Sequence, residues 1–273
     1  MLEQLIYKNH LNEVFEFGKD GIFVNAADLH SYKWSVNAKG NKIKSMEYGV
    51  QTRSLPVIIV CENEADGIAA RNRLFEVCEK DVLALEQGQI ILGGYAFKCF
   101  VTKSEKKDYL ISDRYIVDNL TLTSDRPVWT KETQYSFAPV ASESAFLDFN
   151  GLDFPYDYFN PYLSLNLPNP HFAEANFRLI IYGACSNPSI SIGGHTYQVN
   201  CTVEANQYLT IDSVTKKIFI TKNDGSTVNV FNSRNREHYI FQKIPVGSNV
   251  VAWNNQFHFD VILLEERSEP KWI

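Results

Sequence analysis

Much of the chain alternates apolar and polar side chains with a period of two. Tyr95, Phe97, Cys99 and Val101 are interleaved with Ala96, Lys98, Phe100 and Thr102, the spacing that sends successive side chains to opposite faces of a sheet. Leu120 and Leu122 alternate with Thr121 and Thr123 in the same way. Residues 177–264 read as β almost throughout. Ile190 and Ile192 precede Gly193-Gly194, and Tyr197, Val199 and Cys201 follow it. The runs Ile218-Phe219-Ile220 and Val228-Asn229-Val230 flank Asp224-Gly225, a hairpin signal with a loop longer than two residues. Phe257, Phe259, Val261 and Leu263 form a last alternating strand. About eight short strands without helical periodicity predict a sandwich or jelly roll.

One segment departs from that pattern. Residues 63–80 predict a helix, with Asn63 as its cap and Asp66 three residues on. Ile68, Phe75, Cys78 and Val82 recur at helical spacing and are expected to form its packed stripe, with Arg71, Arg73, Glu76 and Glu79 facing away. Such a helix packs across a sheet, or alternatively offers a groove-binding face to a partner. Pro127, Pro139, Pro155, Pro161, Pro168 and Pro170 then interrupt any long element and mark a domain junction. The expected division is residues 1–135 and 136–273, with the last residues able to return to the first domain. The aromatic stretch 154–162, which contains Tyr156 and Tyr158, is too apolar for a free linker and should pack on its own domain or on a partner.

Composition narrows the function classes. Hydrophobic residues at 45% and charged residues at 21% of 273 fit an ordinary globular protein. The net charge of −6 divides as −2 over residues 1–140 and −4 over the rest, so neither half carries the basic footprint of a nucleic-acid or anionic-membrane binder. Charges scattered through residues 1–20 leave no signal-peptide core, and the longest apolar runs fall far short of a membrane span. Cys61, Cys78, Cys99, Cys185 and Cys201 are odd in number and form no CxxC pair, which predicts buried, reduced thiols and synthesis in a reducing cytosol.

Candidate chemistry is sparse. None of the six histidines is paired at helical metal-ligand spacing; His258 and Asp260 share a strand face but lack the further ligands of a cupin-like site. Gly193-Gly194-His195 resembles an oxyanion-hole run, yet without a G-x-S-x-G elbow it reads as a turn. No nucleotide-binding glycine loop occurs. Asp153 with Asp157 and Glu265 with Glu266 read as surface charge rather than glycosidase pairs. Neither catalytic residues nor a cofactor or metal is expected. Trp253 is a candidate sugar-stacking ring or an ordinary packing residue.

Three stretches, taken in order, resemble the distal tail proteins (Dit) of long-tailed phages. The first joins residues 71–81 to the run 88–99, Gly-Gln-Ile-Ile-Leu-Gly-Gly-Tyr-Ala-Phe-Lys-Cys, similar to that family's helix and following aromatic hairpin. The second is Leu120-Thr121-Leu122-Thr123-Ser124-Asp125-Arg126-Pro127-Val128-Trp129, similar to the exit from its N-terminal domain. The third runs from Tyr208-Leu209-Thr210-Ile211-Asp212-Ser213 through Lys217-Ile218-Phe219, Asp224-Gly225 and Phe231 to Ile244-Pro245-Val246-Gly247-Ser248-Asn249, and resembles a galectin-like sandwich. Each alone is weak, and the weight lies in their order over residues 34–264.

The resemblance implies a mainly β chain. Its N-terminal β-barrel or sandwich domain carries one packing helix and closes into a homohexameric ring, and a galectin-like, jelly-roll-like sandwich follows. It implies a structural hub of the phage tail tip, made in the host bacterial cytoplasm and not inserted in a membrane. The tail tube protein, the tail-associated tip protein and further copies of itself are the implied partners. Receptor-binding proteins are further candidates, and DNA only passes through the channel. Trp34, Arg71, Arg73 and Glu76 are the candidate subunit contacts, and Tyr156, Tyr158 and Trp253 the candidate partner or glycan contacts. A carbohydrate-binding β-sandwich acting in host-surface adhesion is the alternative, with an unrecognised hydrolase third.

Overall fold

The computed structural model describes residues 5–19, 21–106, 115–139 and 165–272. They are mainly β, with one α-helix and antiparallel sheets, none of which closes into a barrel. The chain forms two compact units: Met1–Lys131 with Glu266–Ile273, and Glu132–Glu265.

The first unit contains β1 (Leu5–Lys8), β2 (Val14–Phe17), β3 (Ile22–Val24), β4 (Ser35–Lys39), β5 (Lys42–Glu47), β6 (Gln51–Val60), α1 (Glu64–Ala84), β7 (Gly88–Leu92), β8 (Tyr95–Lys106) and β9 (Tyr115–Ser124). Strand β8 is long enough to serve more than one ladder. Tyr95–Cys99 pair with β7, and residues from Phe100 to Lys106 pair with β9, with a register shift between Val101 and Lys103 inside that ladder. One side continues as β7-β1-β2 and the other as β9-β6-β3. Alternation makes the core: Tyr95, Phe97 and Cys99 point inward from β8, Leu120 and Leu122 from β9, and Leu55, Val57 and Ile59 from β6. The Gly93-Gly94 turn between Leu92 and Tyr95 has φ of 57° and 79°, the left-handed backbone that a two-residue hairpin of matching twist requires.

Helix α1 starts where the sequence places it. The Asn63 side chain accepts the Asp66 backbone N–H at 2.9 Å, and Glu64 and Asp66 put negative charge at the positive end of the helix dipole. It extends four residues past the expected end and stops at Leu85, whose φ of 55° lets its N–H reach back to the carbonyls of Asp81 and Val82.

From β10 (Trp129–Phe137) the chain enters the second unit: β11 (Leu165–Asn169), β12 (Asn176–Tyr182), β13 (Cys185–Ser186), β14 (Ser189–Ile192), β15 (His195–Gln198), β16 (Thr202–Val203), β17 (Tyr208–Asp212), β18 (Lys217–Thr221), β19 (Thr227–Asn229), β20 (Gly247–Trp253) and β21 (Phe259–Arg267). Two layers form, β19-β18-β17-β12-β21 and β11-β20-β14-β15, with β13-β16 as a separate short pair. Both layers contribute to one core, which includes Phe177, Leu179 and Ile211 from the first and Leu167, Ile190 and Tyr197 from the second. The unit is the expected β-sandwich, built from more and shorter strands than the alternation suggests.

Candidate functional site

The chemistry-bearing side chains of the first unit gather where α1 meets β1 and β2. Asp81 is completely buried; its Oδ2 accepts the Tyr7 hydroxyl at 2.5 Å. Its Oδ1 accepts the His10 backbone N–H at 2.9 Å and lies 2.5 Å from His10 Nδ1. Burial, then the hydrogen bond to Asp81, holds the Tyr7 phenol far above its ordinary range. Asn9 Nδ2 donates to the Val77 carbonyl, and Lys80 pairs with Glu13 at 2.7 Å, which with Asn9 lowers the Glu13 pKa. Every one of these contacts fastens the helix to the N-terminal strands. The arrangement is an anchor, and sequence reasoning missed it because hydrophobic periodicity gives no weight to an inward aspartate.

That anchor sets which face α1 turns inward, and it corrects the expected stripe. The buried positions are Gly67, Leu74, Val77, Cys78 and Asp81. Of the stripe expected from the sequence only Cys78 is buried, while Ile68, Phe75 and Val82 are 41%, 62% and 36% exposed. The apolar residues of α1 occupy two adjoining faces, and the carboxylate chooses between them.

The candidate contact residues are placed as follows. Glu76 is exposed. Arg73 is exposed along most of its length but donates to the Val14 carbonyl at 3.0 Å. Arg71 is half-buried rather than facing away; its Nε donates to the Gly67 carbonyl, and it borders a cavity of about 220 Å³ lined by apolar residues such as Leu74, Phe75 and Val101 and by the charged Glu79, Lys103, Lys106 and Asp118. On the other side of α1 an open groove of about 910 Å³ runs past Val14, Glu16, Lys19, Cys61 and Asp66. Trp34 is 39% exposed and tilts against Tyr48 with ring centroids 4.0 Å apart. The Tyr48 hydroxyl in turn lies 2.9 Å from that of Ser268. Trp34 and the helix residues therefore belong to one unit but to different elements.

In the second unit Trp253 is a packing residue. It is half-buried, its Nε1–H donates to the Phe257 carbonyl at 3.2 Å, and its ring meets Phe259 edge-on at 5.1 Å and Phe137 at 6.2 Å. Asp260, considered above as a metal ligand with His258, accepts the Tyr182 hydroxyl at 2.7 Å and the Gln134 amide at 3.0 Å. The bond to Asp260 and then burial push the Tyr182 phenol up to about 12. Among the described residues no group of three or more His, Cys, Asp or Glu gathers as a metal site. Tyr156 and Tyr158, with the stretch 154–162 and the pair Asp153 and Asp157, lie outside the described residues.

The cysteines are all free. Cys78 and Cys99 are buried, whereas Cys61, Cys185 and Cys201 are half-buried, short of the full burial expected. Burial pushes Cys78 up to about 12 and Cys185 up to about 11, and raises Cys99 and Cys201 as well. These four thiols stay protonated at neutral pH and are poor nucleophiles. No described helix is long and apolar enough to cross a membrane.

No protein-family model matches the chain, and no curated protein matches it. Solved structures do. The Dit protein of phage SPP1, a paradigm of the hub adsorption apparatus in phages infecting Gram-positive bacteria, aligns over 98% of this chain and 100% of its own at 9% identity, with a TM-score of 0.59. A chain of the phage P2 baseplate in its activated conformation aligns over 99% of this chain and 100% of its own at 12% identity. The TM-scores are 0.61 for the calcium form and 0.62 for the strontium form. The chain has the fold of these hub and baseplate proteins across both units.

Proposed function

We propose that the chain is the structural hub of a phage tail tip, a distal tail protein that acts in the virion by assembly rather than by catalysis. The observation that carries this reading is coverage: the likeness to Dit and baseplate chains takes in 98–99% of this chain and all of each neighbour, so both units and their order correspond. The order of sequence motifs points to the same family independently. The residues brought together at α1 fasten elements to one another, and four of the five thiols are held protonated, which fits a scaffold.

In this reading the first domain, residues 1–135, closes a homohexameric ring through Trp34 and α1, including the exposed Arg73 and Glu76 and the half-buried Arg71. The second domain, residues 136–273 with its last residues returning to the first, is the galectin-like sandwich. A closed ring needs two different patches on each copy, because a head-to-tail contact repeats until the rotation closes. One face of the ring joins the tail tube protein and the other the tail-associated tip protein, and DNA passes through the channel. The acidic balance of the chain suits a passage that must not retain DNA.

Negative-stain electron microscopy of the purified chain tests this. Six-fold, open-centred class averages viewed down the axis, together with binding to the tail tube protein, are the expected result. A strictly monomeric sample that also ignores the tube protein overturns the proposal.

A further inference from the structure

The outer face of the larger layer in the second unit carries polar chemistry that the hub reading does not use. Phe177, Leu179 and Ile181 of β12 point into the core, so Tyr182, one residue further on, points out. The β12–β17 register places Tyr208 directly opposite Tyr182, and the two rings, 38% and 37% exposed, stand 6.3 Å apart at 52°. On the other side of β12, strand β21 brings in Asp260 between the core residues Phe259 and Val261. Asp260 is only 8% exposed. Its Oδ2 accepts both the Tyr182 hydroxyl and the Gln134 amide, while its Oδ1 has neither a hydrogen bond nor an ion pair among the described residues.

Tyr182 and Asp260 border a pocket of about 460 Å³ that also takes in Ser136, Gln256 and His258. Backbone bonds fix its frame: the Tyr182 N–H donates to the His258 carbonyl at 3.0 Å, and the Gly183 N–H to the Gln207 carbonyl at 2.9 Å. Gly183 has no room for a side chain, since a Cβ there would sit 2.0 Å from the Glu204 carbonyl oxygen. Among the described residues no Lys or Arg lines the pocket, so nothing in it answers a phosphate or a carboxylate. Asp260 calls for a donor instead, and Ser136, Gln256 and the His258 ring add donors and acceptors around it. A simple cation needs only the carboxylate. Several polar groups beside that carboxylate, with the small apolar Ala138 and Ala184 and an aromatic shelf, suit a ligand with many hydroxyls and an apolar C–H face.

We infer that this pocket, with Tyr208 as its outer shelf, binds a neutral oligosaccharide: one sugar ring donates hydroxyls to Asp260, and the next lies against Tyr182 and Tyr208. The site is separate from Trp253, whose ring is packed on Phe137 and Phe259, and it stands independently of the hub reading. The two donors on Oδ2 hold the carboxylate in one orientation and leave Oδ1 to the ligand, so little ordering remains to be done on binding.

Saturation-transfer NMR of the full-length chain with maltose, cellobiose, lactose and N,N′-diacetylchitobiose tests it. At least one of these disaccharides is expected to receive magnetisation through its C–H protons. Asp260→Asn should weaken that binding about tenfold or more, since a hydrogen bond to a charged acceptor is roughly twice as strong as a neutral one. Tyr208→Ala removes the shelf at an exposed position, and should weaken the disaccharide severalfold while leaving the thermal midpoint unchanged. Gln256→Ala, also exposed, should weaken it as well, so the test stands even if Asp260→Asn does not fold. Silence from every sugar, or binding undiminished in the variants, overturns the site. A chain that takes n-butylammonium and none of the sugars holds a cation pocket, which overturns it too.

Discussion

Hairpins β14–β15 and β4–β5 follow the same sequence grammar and meet opposite fates. Each alternates apolar and polar residues around a two-residue turn with a left-handed glycine, Gly193-Gly194 in one and Gly40-Asn41 in the other. In β14–β15 the apolar residues Ile190, Ile192 and Tyr197 are at most 1% exposed, beneath the opposite layer of the sandwich. In β4–β5 the equivalent residues are more than half exposed. The two faces of α1 repeat the contrast, with Leu74, Val77 and Cys78 buried and Ile68 and Phe75 in solvent. Alternation fixes which side chains share a face. Whether the cover for that face lies in the same chain is a separate matter, and a scaffold that works by assembly is expected to leave some faces for its neighbours.

Substitution separates the two kinds of face in the isolated chain. Ile190→Ala should cost about 2–5 kcal/mol in urea unfolding, the usual range for a buried isoleucine. Ile43→Ala should stay within about 0.5 kcal/mol, as exposed positions do. A comparable loss at both positions would mean that the hairpin is covered within its own chain. On α1, Asp81→Ala strands the Tyr7 hydroxyl and the His10 ring, and should cost about 1–3 kcal/mol, whereas Phe75→Ala, on the other face, should be nearly silent.

The turns differ by less. Gly40 and Gly193 have φ of 61° and 58°, so alanine is strained by about 1–2 kcal/mol at either. A Cβ at Gly193 would in addition sit 2.7 Å from Asn249 Oδ1, while at Gly40 it meets open space. Gly193→Ala should therefore lower the thermal midpoint more than Gly40→Ala.

The smallest effect is a pH dependence confined to the second unit. The Tyr182 phenol is raised from 10.0 to about 12 in the folded chain. Above pH 10 the unfolded chain loses this proton while the folded one keeps it. The stabilisation is complete below pH 10 and disappears as pH rises toward about 12. Alkaline melting curves of the native chain should fall more steeply over that window than those of Tyr182→Phe.

The parts legible in the sequence are those that local rules dictate. Asn63 and Asp66 mark the start of α1, Gly193-Gly194 marks a hairpin, and Tyr95, Phe97 and Cys99 mark the buried face of β8. The orientation of α1 was not legible, because the residue that sets it, Asp81, is polar and its partners Tyr7 and His10 stand more than seventy residues away. Trp253 stays open between a stacking ring and a packing residue in the sequence, because one strand shows nothing of the Phe137 and Phe259 rings packed on it from elsewhere. The exposure of Val36, Ile43 and Met46 was equally hidden, since their pattern matches that of a buried strand.

The central claim of the proposed function is that the chain assembles with copies of itself. Native mass spectrometry of the purified protein, raised through its concentration range, tests it most directly. A dominant species at six times the 31.2 kDa chain is the expected result. A spectrum that holds only the 31.2 kDa monomer at every concentration would contradict it.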